Sequence, residues 1–419
     1  MSNPGMLTFT PSLAGLESLD SHRSTLESFG KKVDEKTKAL RSAEMLFGVK
    51  KAEWDETEEL AAELLANSQR IVVLSEGLCE TLFRAIVSSC QGLAQTETGA
   101  PVTILSSSVQ GEALKSLASA LIGKRFSLIV GFEGQPSDRL VLCFRVLLDA
   151  LSQGRHPEEV ARRVIVSTGQ AASPWERWAQ GSSYRNVSFP HRCAGRYLFF
   201  SQPTALLLHL LGFTAWRFVE GGRSFFRQYD KAAETEDPIL AYSALREVQL
   251  AEHNRETLVL PDNTFQDFGR WWRVLTEDSR KLFCEESSDA LVWTGSVMRD
   301  CVATDRLHWV TEIAVESTPE MALEHLPAAK DAPPFHSDEI GDWQSMEDLY
   351  RGIIREHRAG SEYSQPGIRI GLRRRDPYCL GTLFAFFESV VCASHKLAET
   401  SDSFGLCIPY KLATSGAAK

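Results

Sequence analysis

The chain has 419 residues, of which 43% are hydrophobic and 24% charged, and a formal net charge of −10. That length suggests two or three domain-sized units burying about three quarters of their surface, so size demands neither disulfides nor structural metal. The acidic balance argues against a general nucleic-acid binder, and the longest strongly apolar stretch, Thr204–Trp216, is too short to span a bilayer and carries His209.

In chain order, residues 1–70 read as mostly helical and polar, with residues 1–55 as an N-terminal helical segment. Glu56–Ser68 places Leu60, Leu64 and Leu65 at helical spacing, with acidic residues toward the end where the helix dipole favours them. Ile71–Leu74 is an apolar strand, followed by a turn containing Gly77 and a helix through Leu82, Ala85 and Ile86. Val102–Leu105 and Phe126–Val130 read as strands, Arg139–Leu151 as a helix, Arg163–Ser167 as a strand, and Asn186–Phe189 as the strand closing a first unit. Short apolar strands alternating with helices predict a parallel sheet covered on both faces.

A second unit begins around Gly195. Thr204–Gly212 and Phe265–Leu275 read as helices, and Ala290–Thr294 and Trp309–Val315 as strands. A polar connection over Ala328–Trp343 leads to a helix at Met346–His357, a strand at Gly367–Leu372 and a long apolar helix at Gly381–Leu397. The expected class is therefore α/β, as two three-layer αβα sandwich domains with mainly parallel sheets and helices at the N- and C-termini. Their expected extents are 56–190 and 191–397, with a tail over 398–419 that carries Lys411.

The start, MSNPGMLTFTPSL, shows no secretory pattern, and the nine cysteines are scattered, odd in number and never paired as CxxC. Reduced, mostly buried thiols in a cytoplasmic protein are expected. The ten histidines lack ligand spacing such as HExxH, so no metal site is expected.

Four segments occur in a telling order: IVVLSEGLCETLFRA, GRYLFFSQPTALLL, DFGRWWRVLTEDSRK and DPYCLGTLFAFFESVVCASHKL. Together they resemble the phosphoglucose isomerase family, from about residue 70 to residue 411. The resemblance implies a pair of sugar isomerase (SIS) domains, a homodimer whose site lies between the two domains and is completed by the partner, and no cofactor. It implies interconversion of glucose 6-phosphate and fructose 6-phosphate through a cis-enediol. The rivals are a catalytically degenerate SIS protein that binds a sugar or a partner, and an isomerase of a non-phosphorylated sugar derivative.

Such chemistry needs a carboxylate base, a cation for the enediolate, an acid/base pair for the sugar ring and a cradle for the phosphate. The resemblance puts Asp278 at the base position, or Glu277 after a one-residue slip. Arg196, in GRY, matches the arginine that stabilises the enediolate, beside Gly195. Lys411 lies where the family has its C-terminal active-site lysine. His308 matches the ring-opening histidine in one comparison, while a second puts Thr294 or Gly295 there. For substrate binding, the family's GIGGS turn reads Ser75-Glu76-Gly77-Leu78-Cys79, retaining Gly77, with Cys79 in its final position. Its SKSGTT loop falls on Phe132–Ser137, where Ser137 alone keeps a hydroxyl and Glu133 replaces a lysine. Glu133 and Asp138 would oppose a phosphate by about 4 kcal/mol for unit charges 4 Å apart at an effective dielectric near 20.

Overall fold

The computed structural model describes residues 7–12, 50–90, 101–169, 174–189, 199–229, 238–239, 242–243, 246, 255–261, 263–281, 289–294, 309–317 and 367–397. The first half runs β1 (Leu7–Ser12), α1 (Lys51–Asn67), β2 (Arg70–Ser75), α2 (Gly77–Cys90), β3 (Val102–Ser106), α3 (Gly111–Leu121) and β4 (Phe126–Phe132). It continues with α4 (Asp138–Ser152), α5 (Pro157–Arg163), β5 (Val164–Thr168), α6 (Pro174–Gly181) and β6 (Arg185–Asn186). The second half holds α7 (Gln202–Leu210), α8 (Trp216–Tyr229), β7 (Arg255–Leu260), α9 (Gln266–Lys281), β8 (Asp289–Thr294), β9 (Trp309–Ser317), β10 (Gly367–Arg374) and α10 (Pro377–Leu397).

The strands form two five-stranded sheets, ordered β3-β2-β4-β5-β6 and β1-β10-β9-β7-β8. Every pairing is parallel except β1 against β10. All residues of β4 and β5 are buried, as expected for strands covered on both faces. One face of the first sheet packs on α3, α4 and α6 through Leu114, Phe144 and Ala179. Its other face, through Ile71 and Val73, joins a core shared with α1, α2, α7, α8, α9, α10 and the second sheet. The mainly parallel α/β architecture expected from the alternation is thus present.

Three expectations need correction or extension. The N-terminal stretch, expected to be helical, contributes β1, with Leu7 opposite Leu372. Leu7 and Phe9 point alternately with Thr8 in LTF, and a period of two needs a sheet edge to pair with, which β10 supplies. The strand expected at Asn186–Phe189 is assigned only to Arg185–Asn186, although the Val187 and Phe189 amides still donate to Val166 and Thr168. The elements α3, α5, α6, α8 and β7 join those anticipated. The expected connection at Ala328–Trp343, the helix at Met346–His357 and the tail at 398–419 lie outside the described residues.

Helix α8 carries the pair Gly221-Gly222, a poor helix sequence by intrinsic propensity. Its reason is tertiary, since a Cβ on Gly221 would overlap the Tyr378 carbonyl, and one on Gly381 would overlap the Phe218 carbonyl. The backbones of α8 and α10 therefore touch. Gly221→Ala would gain about 1 kcal/mol of helix propensity, but it would drive a methyl into a backbone oxygen that cannot rotate away. We expect a net loss of about 2 kcal/mol in urea denaturation; a raised midpoint would show that propensity dominates.

On α10, the Oε1 atom of Glu388 is buried without a hydrogen-bond partner among the described residues. Burial pushes this carboxyl well above the ordinary carboxylate range. An acid with a raised folded pKa keeps its full stability below the unfolded value of about 4.3, and loses it as pH rises through the folded value. Glu388→Gln is therefore expected to melt higher than the parent at about pH 8 and level with it near about pH 4. A melting difference that does not depend on pH would contradict this. Among the described residues, no helix is long and apolar enough to cross a membrane.

Candidate active site

In the first sheet the chain places β3 on one side of β2 and then β4 on the other. The order therefore reverses between β2 and β4, and the space beyond their carboxyl ends is where open parallel sheets usually have their ligand crevice. Two turns border it. Ser75-Glu76-Gly77 leaves β2 and starts α2, and Glu133–Ser137 leaves β4 and starts α4. Gly77 has φ +59°, a left-handed conformation in which glycine is free of the usual Cβ penalty. The Ser75 hydroxyl donates to the Gly131 carbonyl at 2.8 Å, tying the two strand ends together.

Ser137 caps α4, its Oγ accepting from the Leu140 amide at 3.2 Å. At the same helix end, the Ser137 amide donates to Glu76 Oε1 at 2.9 Å and the Ser137 hydroxyl donates to Glu76 Oε2 at 2.5 Å. One carboxylate thus takes both donors of the residue that a bound anion would use, and it does so at the positive end of a helix dipole. Glu76 is half-buried and Glu133 exposed. Cys79 is fully buried in the first turn of α2. Burial raises its thiol far above the ordinary range, and the negative charges of Glu133 and Glu76 push it further in the same direction.

The expected base lies on α9. Phe268, Trp271, Trp272 and Leu275 form its buried stripe, while Arg270 and Arg273 are exposed. Arg375 fixes its direction relative to α2. The Arg375 guanidinium donates to the Ser89 carbonyl at 3.0 Å, near the end of α2, and lies 5.8 Å from the ring of Phe265, just before α9 begins. The two helices pack together, so α9 runs back along α2. From Gln266 to Asp278 the helix rises about 18 Å, close to the roughly 20 Å from Cys90 back to Gly77. The turn containing Glu277 and Asp278 is therefore carried toward the start of α2, beside the crevice. Of positions 276–281 only the helical backbone is described.

The expected residues thus divide. Gly77 and Ser137 belong to the two turns at the ends of β2 and β4, Glu133 lies in the second of them, and Cys79 is buried in the first turn of α2. Gly195, Arg196, His308, Gly295 and Lys411 lie outside the described residues, while Thr294 ends β8. The residue that sequence reasoning passed over is Glu76. The available signal was a carboxylate at the isoleucine position of the GIGGS-like turn, combined with Ser137 as the one remaining hydroxyl of the facing loop.

No protein-family profile matches the chain. It is 23% identical over 318 residues to a glucose-6-phosphate isomerase of Pediococcus pentosaceus, covering 72% of this chain and 68% of that protein. It is 22% identical over 307 residues to a glucose-6-phosphate isomerase of Bacillus cereus, covering 71% of this chain and 66% of that protein. The chain therefore spans about two thirds of the length of these relatives. Among solved structures, a hypothetical protein from Thermus thermophilus superposes with a TM-score of 0.71 at 15% identity, covering 94% of this chain and 92% of the other. A glucose-6-phosphate isomerase from Chlamydia trachomatis gives 0.70 at 12% identity, covering 96% and 84%.

Proposed function

We propose that this chain, which resembles the glucose-6-phosphate isomerase family in sequence and shares its fold, is an aldose–ketose isomerase acting through a cis-enediol. The observation that carries the reading is the antiparallel course of α9 along α2, which supports a carboxylate arriving at the switch-point crevice. Helical register favours Asp278 as that base, because position 278 continues the row Phe268, Trp271, Leu275. Position 277 instead continues the exposed row Arg270, Arg273.

In this reading the carboxylate removes the proton on C2 of the open-chain aldose, and the electron pair moves into a C1–C2 enediolate. Arg196 stabilises the developing charge, a proton passes from O2 to O1 through the cis-enediol, and the conjugate acid returns the abstracted proton to C1 as the C2 carbonyl forms. His308 and Lys411 serve ring opening, Ser137, Gly77 and Gly195 border the sugar, and a second copy of the chain completes the site. The names of the relatives make glucose 6-phosphate and fructose 6-phosphate the first pair to test.

Proton NMR of the protein with fructose and with fructose 6-phosphate in D₂O tests the reading directly, because an enediol exchanges its migrating proton with solvent. Deuterium at C1 of at least one ketose is expected. No exchange in either sugar at stoichiometric protein would overturn the isomerase. Binding without exchange would instead support a non-catalytic sugar-binding protein, a second reading favoured by the Glu76–Ser137 contact, which alters a substrate-facing loop.

A further inference from the structure

We propose that Glu76 is a specificity-determining residue: a built-in counter-anion that occupies the phosphate position of the crevice, so that the sugar bound there carries no phosphate. The inference rests on the reading of this crevice as the sugar site and adds the substrate class.

Three features of the structure meet at this point. The reversal of strand order between β2 and β4 puts the crevice at these two turns. The start of α4 offers its amides, its dipole and the Ser137 hydroxyl, which together form an anion-binding end. The Glu76 carboxylate already holds both Ser137 donors, reaching across 61 positions of sequence from the opposite turn. Charge-assisted bonds of this kind are about twice as strong as neutral ones. A phosphate would have to displace the carboxylate from both donors, and it would then face a displaced negative charge at close range. A neutral sugar meets neither cost, and its hydroxyls can donate to acceptor oxygens along this edge.

The test is binding of inorganic phosphate, fructose and fructose 6-phosphate to the full chain, by calorimetry and thermal shift, in the parent, Glu76→Ser and Glu76→Gln. Far-UV circular dichroism establishes that each variant is folded. The parent is expected to bind fructose at least as tightly as fructose 6-phosphate and to show no melting shift with millimolar phosphate. Glu76→Ser should gain at least about tenfold in affinity for phosphate and for the phosphorylated sugar, because a like charge has left the crevice. Glu76→Gln, which keeps the shape but not the charge, should gain in the same direction.

Tighter binding of fructose 6-phosphate than fructose by the parent overturns the proposal. So does an equal phosphate response, large or absent, in the parent and in folded Glu76→Ser. If Glu76→Ser proves unfolded, the parent comparison and Glu76→Gln decide on the same criteria. These results stand apart from turnover: an enzyme active on fructose 6-phosphate with equal phosphate response in parent and variant would sink the proposal and leave the isomerase standing. Gained phosphate affinity without deuterium exchange in any sugar would do the reverse.

Discussion

Asp278→Asn is expected to lower sugar isomerisation by about 10²- to 10⁴-fold, the usual contribution of a positioned proton-transfer group. Glu277→Gln should leave the rate nearly unchanged. The asymmetry follows from the α9 backbone, which continues the buried row Phe268, Trp271, Leu275 to position 278 and the exposed row Arg270, Arg273 to position 277. Loss of the base should lower kcat and kcat/KM together, since the interaction exists in the transition state and not in the bound sugar. Melting temperature should barely move. A large loss in Glu277→Gln with an active Asp278→Asn would transfer the role to Glu277, and two active variants would remove the base from α9.

The second large effect concerns stability. Arg246 and Glu256 form a bidentate pair inside the second unit, with Nε donating to Oε1 at 3.0 Å and Nη2 to Oε2 at 2.6 Å. Their side chains are 3% and 2% exposed. The Tyr242 and Thr311 hydroxyls, 2.7 Å apart, close the network around Glu256, and the Arg246 guanidinium lies 5.1 Å from the ring of Trp272. Removing one partner strands a charge in the core, so Arg246→Met should cost about 3–5 kcal/mol in denaturant unfolding. The double variant Arg246→Met with Glu256→Gln should recover much of that loss, because the desolvated charges leave together. A double variant as unstable as the sum of the singles would mean that packing, and not charge pairing, sets the cost.

These two cases separate what is readable along the chain from what is not. The strand at Ile71–Leu74, the helix at Arg139–Leu151 and the stripe of α9 were legible because burial imposes a period on neighbouring residues. Strand β1 was not, because LTFTPS needs the edge of β10, more than 350 positions away, before its alternation has a partner. Helix α8 was equally obscure, since Gly221 is favourable only where a second backbone touches it.

At the candidate site, the resemblance carried by short motifs named Ser137, Gly77 and the carboxylates of α9 as candidates, and it raised Glu133 as a charge that would oppose a phosphate. Periodicity and motif order are local properties, carried by each stretch of chain before it folds. The seating of the Glu76 carboxylate on Ser137 is not local: it exists only because β2 and β4 lie side by side, bringing two distant turns within hydrogen-bonding range. The sequence by itself determined the alternating α/β architecture and the chemistry available to it. The tertiary structure decided which charge meets the end of α4, because hydrogen bonds depend on distance in space and sequence separation places no limit on it.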